Sequence, residues 1–259
     1  MVFRRRAERE WERLARSEPY FAVLTDPRYR GAALTAELAR SFWESGEAHV
    51  ANLDILARRH FGQPLEPAAA LDFGCGVGRL LMPIARRSGA ALGVDASPAM
   101  LAHCAAACRE AGLANVTLSD SIPRGRTFDF VNSLLVFQHI RPRLGARALA
   151  EMLGVLAPGG LLALHFLFDR PRNGTWGRLA RAVGRSFPIG PAIAALRGGR
   201  DRPRFEMHAY SMNQILLELA RRGVGEVHCC LASENVFSSA LLLGRRAAGS
   251  DASSQDRRR

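Results

Sequence analysis

Three glycines spaced by two, Gly74, Gly76 and Gly78, follow Asp72 at the end of a small apolar run, Ala68 to Leu71. A second acid, Asp95, closes the next apolar run, Ala90 to Val94. Glycine lacks a Cβ, so such a segment can turn sharply from strand to helix and let a ligand lie against its backbone. A carboxylate at the end of the following strand can accept two hydrogen bonds from a ribose 2′,3′-diol. Further along, His139 stands at the end of the run Leu135 to Ile140, and histidine is the side chain best suited to taking a proton near pH 7. These residues describe a nucleoside-cofactor site with a titratable group beside it.

The glycine spacing separates two cofactors. A dinucleotide fingerprint, G-x-G-x-x-G, needs glycine where this chain has Arg79, and the chain reads G-x-G-x-G instead. Asp72 ahead of the first glycine is also a poor neighbour for a pyrophosphate docking on the next helix start. The sulfonium and ammonium of S-adenosylmethionine are positive and suit that acid better. In five segments the chain resembles the class I S-adenosylmethionine-dependent methyltransferases: LDFGCGVGRL (71–80), GVDASPAML (93–101), VTLSD (116–120), FDFVNSLLVFQHI (128–140) and LAPGGLLAL (156–164). The segments come in family order and at family spacing, and they single out no subfamily.

The elements that must hold these residues follow from hydrophobic periodicity. From Ala68 to Phe168 strand-like and helix-like patterns alternate, which predicts βαβ units and a parallel sheet. Ser97-Pro98 is a helix start, with a capping serine and a proline at the first helical position. Pro83 conflicts with the preceding helical pattern and predicts a bend or a late start. Later come a helix over Ser211 to Arg222 and strands over Glu226 to Ala232 and Val236 to Leu243. The resemblance implies an α/β, doubly wound, Rossmann-like sheet of seven strands, mainly parallel with the last antiparallel. An N-terminal helical cap covers 1–64, with helical spacing over Thr35–Trp43 and Ala48–Arg59 and a boundary at Pro64 and Pro67. The methyltransferase domain covers 65–246, including a basic, lid-like insertion at 168–205, and a disordered tail covers 247–259.

Residue roles are what the resemblance implies. Gly74, Gly76 and Gly78 would pass close to the methionyl part of the cofactor, and Asp72 would help hold its amino group. Asp95 would take the ribose hydroxyls, and Met100 would pack on the adenosine or serve as ordinary helix packing. Asp120 would meet the adenine amino group or act as a turn residue before Ser121. His139 would lie where the methyl group is transferred, as a base or acceptor-orienting group, or else as a histidine that bonds backbone at the strand end. His165, His208 and Tyr210 are candidates for the acceptor pocket, with burial, capping and packing as their plainer readings. Phe42-Trp43 and Ser45-Gly46-Glu47 could fold over the cofactor as a lid, and Trp43 as helix packing.

Composition bounds the remainder. At 259 residues and 48% hydrophobic content the chain can bury one sizeable core. It has no apolar run of membrane-spanning length and no secretory h-region at its start. Its five cysteines form neither a disulfide framework nor a C-x-x-C metal pair, so no metal is expected and a cytoplasmic location is. All 36 basic residues are arginine, which reads as compositional bias of the source. The net charge of +12 is nonetheless localised: residues 168–205 carry +7 and residues 245–259 carry +3. Arg178, Arg181 and Arg185 share one helical face, which could grip an anionic acceptor, a membrane surface or nucleic acid, or simply be solvated. The expected acceptor is a small molecule methylated on O, N or S. No Asn-Pro-Pro-aromatic run, catalytic cysteine motif or thiol set points to DNA amino, RNA cytosine or arsenic methylation. A macromolecular methyltransferase holding RNA or protein through the arginines, and a non-catalytic cofactor-binding scaffold, are the alternatives. The oligomeric state is not legible.

Overall fold

The computed structural model describes residues 11–31, 33–169, 207–234 and 237–249. The arginine-rich insertion beyond residue 169 and the tail beyond residue 249 lie outside the described residues. Helices α1 (11–17), α2 (Pro19–Leu24) and α3 (Ala36–Phe61) precede the sheet, with a 3-10 turn at Pro27–Tyr29. Then follow β1 (Ala69–Phe73), α4 (Leu81–Arg87), β2 (Ala90–Val94), α5 (Pro98–Glu110), β3 (Val116–Ser119) and β4 (Phe128–Ser133). A 3-10 turn, Phe137–His139, leads into α6 (Pro142–Gly154) and β5 (Leu156–Asp169). Helix α7 (Met212–Arg221) and strands β6 (Val224–Glu234) and β7 (Phe237–Arg246) complete the described chain.

The sheet has seven strands in the order β3-β2-β1-β4-β5-β7-β6. Strands β1 to β5 pair in parallel, and β7 runs against both β5 and β6. The strand order reverses between β1 and β4, and open α/β sheets bind ligands in the crevice beyond such a reversal.

Strand alternation divides the core between the two faces of the sheet. On one face Ala70, Phe130, Leu161, Ala163 and Leu243 pack against Val50, Leu53, Ala57 and Phe61 of α3 and Ile84 of α4. Two residues further along their strands, the same face carries Asp72, Asn132 and His165 at the carboxyl end of the sheet. On the other face Leu71, Val131, Leu162, Leu164 and Phe166 meet Leu149, Met152 and Leu153 of α6 and Ile215 and Leu219 of α7.

Local chemistry explains the element boundaries. The two helical patterns of the N-terminal part join into one 26-residue α3, capped by the Thr35 hydroxyl, which accepts from Leu38 N–H at 3.3 Å. Gly46 inside it would cost about 1 kcal/mol relative to alanine on an exposed helix. Here a Cβ would strike the Arg79 carbonyl, so glycine is what lets α3 approach the turn after β1. Pro83 resolves as a late start: α4 begins at Leu81, so its missing N–H falls in the first turn, where no helical acceptor exists. Ser97 caps α5 as its sequence predicts, accepting from Met100 N–H at 3.2 Å.

Tyr210, 8% exposed, bolts α6 to the sheet. Its hydroxyl donates to Ile140 C=O at 2.7 Å, and its ring packs among Phe137 and Phe166. Gly145 of α6 leaves the room that this hydroxyl fills. Tyr210→Phe should therefore cost about 1–2 kcal/mol of stability in denaturant unfolding, since the half-buried Ile140 carbonyl loses its donor.

Candidate active site

The turn after β1 is held by the end of β2. The N–H groups of Gly74 and Cys75 both donate to Val94 C=O, at 2.7 and 3.0 Å, and Gly76 N–H donates to Asp95 Oδ2 at 2.9 Å. The other Asp95 oxygen accepts from Ser97 N–H at 2.9 Å. Three successive amides can converge this way only because the backbone passes through the left-handed region, with φ of +79° at Gly74 and +54° at Gly76. A Cβ at Gly74 would overlap the Val136 side chain, and one at Gly78 would press on Cys104 Sγ. Burial raises the Asp95 carboxyl above its ordinary range, while the Ser97 and Gly76 amides pull it back.

Behind the turn, on the α3 face, lies a buried polar cluster. Asp72 is 2% exposed and accepts from Asn132 Nδ2 at 2.7 Å; burial pushes its carboxyl up to about 6. Arg79, 6% exposed, donates from Nη1 to Ser45 Oγ at 3.2 Å, and its charge favours the ionised form of Asp72. His49 of α3 and His165 of β5 complete the group, both pushed down to about 4 by burial. Arg79 Nε, Asn132 Oδ1, His49 Nε2 and His165 Nδ1 are buried and have no hydrogen-bond partner among the described residues. Native interiors satisfy almost all such atoms, and each one left bare costs about 1–3 kcal/mol. Four of them from four elements at one end of the sheet describe a chamber suited to a polar occupant.

The turn after β4 forms the opposite wall. Leu135 takes φ +61°, a region strained for a residue other than glycine, and so swings Val136 onto Gly74. His139 follows in the 3-10 turn, its Nε2 3.3 Å from Gln138 Nε2 and its ring 4.7 Å from the Trp11 ring, edge to face. His208 N–H donates to Gln138 C=O at 2.7 Å, which brings the chain ahead of α7 alongside this turn.

Of the sequence candidates, the structure brings Asp72, Gly74, Gly76, Gly78 and Asp95 together around one turn, with His139 across from it. Met100 is buried in a cluster with Val77, Leu14 and Phe42. His165 belongs to the polar chamber. Tyr210 has its hydroxyl committed to Ile140. Asp120 is exposed just beyond β3 and accepts from the Ser121 hydroxyl at 2.9 Å. Trp11, Glu12, His49 and Arg79 are additions from the structure. A signal existed for His49, which sits at helical spacing within the apolar stripe Phe42, Gly46, Val50 and Leu53 of α3. Arg79 immediately follows the third glycine. For Trp11 and Glu12, more than eighty residues from Ser97, periodicity offers none.

Comparison with known proteins agrees with this geometry. Residues 70–160 match the family described as "Methyltransferase domain". Over those residues the chain is similar to methyltransferase domains. Among relatives, it is 31% identical over 114 residues to a ubiquinone biosynthesis O-methyltransferase of Cereibacter sphaeroides, covering 42% of this chain and 45% of that one. It is 36% identical over 143 residues to a trans-aconitate 2-methyltransferase of Methylobacterium radiotolerans, covering 54% and 52%. The chain thus spans about half the length of the curated relatives it matches. The fold is shared with magnesium protoporphyrin IX methyltransferase of Synechocystis PCC 6803, solved with bound S-adenosylhomocysteine, at a TM-score of 0.57 and 19% identity, over 92% of this chain and 100% of that one. Among the described residues no helix is long and apolar enough to cross a membrane, and no cluster of His, Cys, Asp and Glu is placed to hold a metal ion.

The buried histidines give the protein a pH signature. Each has a folded pKa of about 4 against 6.5 unfolded, so its contribution to stability is fully present above pH 6.5 and is lost as pH falls towards 4. His165→Gln removes one of the two. The stability advantage of wild type over this variant should shrink by on the order of 2–3 kcal/mol between pH 6.5 and 4 in paired urea titrations.

Proposed function

We propose that this chain transfers the methyl group of S-adenosylmethionine to oxygen, nitrogen or sulfur of a small-molecule acceptor. The observation that carries the reading is the chamber beside the Asp95-clamped glycine turn, where a buried guanidinium N–H and a buried amide oxygen both lack partners. The α-amino-acid end of the cofactor offers a carboxylate to the first and an ammonium to the second. In this reading Arg79 receives the carboxylate, while Asp72 and Asn132 face the ammonium. Asp95 keeps lone pairs beyond its two amide bonds and takes the ribose hydroxyls, Met100 backs the adenosine, and Asp120 reaches the adenine amino group. The names of the curated relatives favour a small acceptor. The proposed boundaries are a helical cap at 1–64, a catalytic domain at 65–246 and a tail at 247–259. Free thiols at Cys75, Cys104, Cys108, Cys229 and Cys230 fit a reducing, cytoplasmic setting.

The mechanism asks little covalent chemistry of the protein. When bound, S-adenosylmethionine supplies a methyl group on a good sulfonium leaving group. The chain's own part is alignment: the glycine turn fixes one reactant, and the Val136–His139 turn places the other opposite it. His139 removes the acceptor proton where the acceptor is a neutral hydroxyl, amine or thiol. His165 and His208 line the acceptor side, and the Tyr210 ring supports its floor. The arginine segment on which a macromolecular acceptor would depend lies outside the described residues and lends that alternative no support.

Calorimetry with S-adenosylmethionine, S-adenosylhomocysteine and NADH tests the cofactor reading. Both sulfur compounds should bind at micromolar Kd, NADH should not, and Asp95→Ala should weaken binding about 10- to 100-fold, the loss of about 1.5–3 kcal/mol from a charge-assisted bond. Absence of binding to folded protein would sink the reading, and NADH binding would redirect it to redox chemistry. With an acceptor found by labelled-methyl screening, His139→Ala should lower kcat about 10²- to 10⁴-fold while leaving the S-adenosylhomocysteine Kd within threefold of wild type. Cofactor binding with no acceptor ever labelled would favour the scaffold alternative.

A further inference from the structure

Gln138 has no part in the proposed chemistry, yet it is a buried polar side chain in the turn that carries His139. It is 8% exposed, in the middle of the 3-10 turn Phe137–His139. Its backbone is held on both sides. The Phe137 ring is buried against Phe166 and Tyr210, and His139 N–H closes the turn on Val136 C=O at 2.9 Å. His208 N–H donates to the Gln138 carbonyl at 2.7 Å. With the backbone held and the side chain enclosed, the torsion left soft is the last one, which is broad and roughly twofold. The terminal amide has two unlike ends. Nε2 lies 3.3 Å from His139 Nε2, while Oε1 is buried with no hydrogen-bond partner among the described residues. Native interiors leave few such oxygens bare.

An amide nitrogen donates and does not accept, so its contact with His139 requires a bare Nε2 and puts the hydrogen of the neutral ring on Nδ1. Nε2 is then the nitrogen that takes up a proton. Once protonated it becomes a donor, and the amide nitrogen opposes it. A half-turn of the amide brings Oε1 round in nearly the same volume, to accept from the imidazolium. The bond so formed is charge-assisted and stronger than the one it replaces.

We infer that Gln138 is a positioning residue for His139 and serves both of its protonation states. Its NH2 group holds the neutral ring in the tautomer that can act as a base, and its bare oxygen is the acceptor kept for the protonated ring. The inference rests on the role proposed for His139. In that step the X–H proton of the acceptor passes to His139 Nε2 as X bonds the methyl carbon and the C–S electron pair returns to sulfur. The proton then leaves to solvent. Turning the amide favours the charged ring and so strengthens the base where the proton is taken. The charged and titratable groups on the elements packed around this turn have other commitments. Glu12, beside Trp11 on α1, accepts from Ser97 Oγ at 2.6 Å. The Tyr210 hydroxyl donates to Ile140 C=O, and Asp72, ahead of the glycine turn that Val136 meets, accepts from Asn132. Arg141 is exposed at the N-cap of α6, and His208 meets the turn through its backbone N–H.

Long-range 1H–15N NMR of the histidine rings in the full chain tests this without any acceptor, with His139→Gln identifying the His139 signals among the seven histidines. In wild type the neutral ring should show an unprotonated Nε2. Gln138→Leu removes both ends of the amide from an enclosed position. The tautomer preference should weaken and the proton affinity of His139 should fall about tenfold. Gln138→Glu offers an acceptor only. It should turn the neutral ring to the Nε2–H tautomer and raise the proton affinity by about tenfold. Opposite shifts in the two variants separate this pairing from a general disturbance of the turn, which would move both the same way. A wild-type ring with its hydrogen on Nε2, or variants with unaltered tautomer and proton affinity, overturns the inference.

The proposed function is read separately. With an acceptor found by labelled-methyl screening, Gln138→Leu should lower kcat about tenfold and move its acidic limb to lower pH, with the S-adenosylhomocysteine Kd within about threefold of wild type. The expected NMR shifts with no acceptor ever labelled would count against methyl transfer and uphold the pairing. A labelled acceptor with unshifted NMR signals would remove the pairing alone.

Discussion

One carboxylate ties the working end of this molecule together. Asp95 accepts from Gly76 on one side and Ser97 on the other, so the turn after β1 and the turn after β2 share a single anchor. Because Gly74 and Cys75 also donate to Val94, the path of the glycine turn is dictated by the last two residues of the neighbouring strand region and by little else. The parallel register of β1 and β2, with Phe73 opposite Val94, is what delivers those acceptors to those amides. A slip of one residue would turn Asp95 to the other side of the sheet and leave three amides bare. Fold and site are therefore one problem here: the buried apolar strands fix the register, and the register sets the turn.

The polar chamber shows the opposite tendency. A carboxylate, a guanidinium and two imidazoles are gathered at the end of an otherwise apolar face, where water is scarce and their hydrogen-bonding capacity is only partly used. A core optimised for stability would carry apolar side chains there, as it does two residues earlier on the same strands at Ala70, Phe130 and Ala163. Proteins tolerate such local violations where function requires them, and the apolar layer of α3, β4 and β5 beneath the chamber supplies the compensating burial.

Much of this was legible in the residues. The alternation of patterns announced the parallel sheet, and Asp72, the three glycines and Asp95 announced the turn. Ser97-Pro98 marked the start of α5, and Pro83 warned of a late α4. What escaped has a physical reason in each case. The apolar spacing of the N-terminal part shows as two segments, Thr35–Trp43 and Ala48–Arg59, whereas the structure runs one helix through Gly46, whose packing against Arg79 leaves no room for a Cβ. Asp120 and Tyr210 sit at positions where a ligand contact and a structural bond look alike in sequence, so their bonds to Ser121 and Ile140 had to come from the structure. Glu12 and Trp11 belong to no local pattern, because contacts across 85 residues and more are set by how α1 docks and not by spacing.

The chain leaves β5 at Asp169 and is again described at Met207. Tyr210 N–H donates to Leu167 C=O at 2.7 Å and His208 N–H to Gln138 C=O at 2.7 Å, so departure and return are stapled to the same corner of the sheet. The entropic cost of joining two fixed ends grows only slowly with the length of the connection, and here the strands and α7 fix both ends. This corner is therefore a splice point: segments of different length and chemistry can be exchanged there over evolutionary time without disturbing the turn that Asp95 holds. The fixed scaffold and the part free to vary meet at two backbone hydrogen bonds.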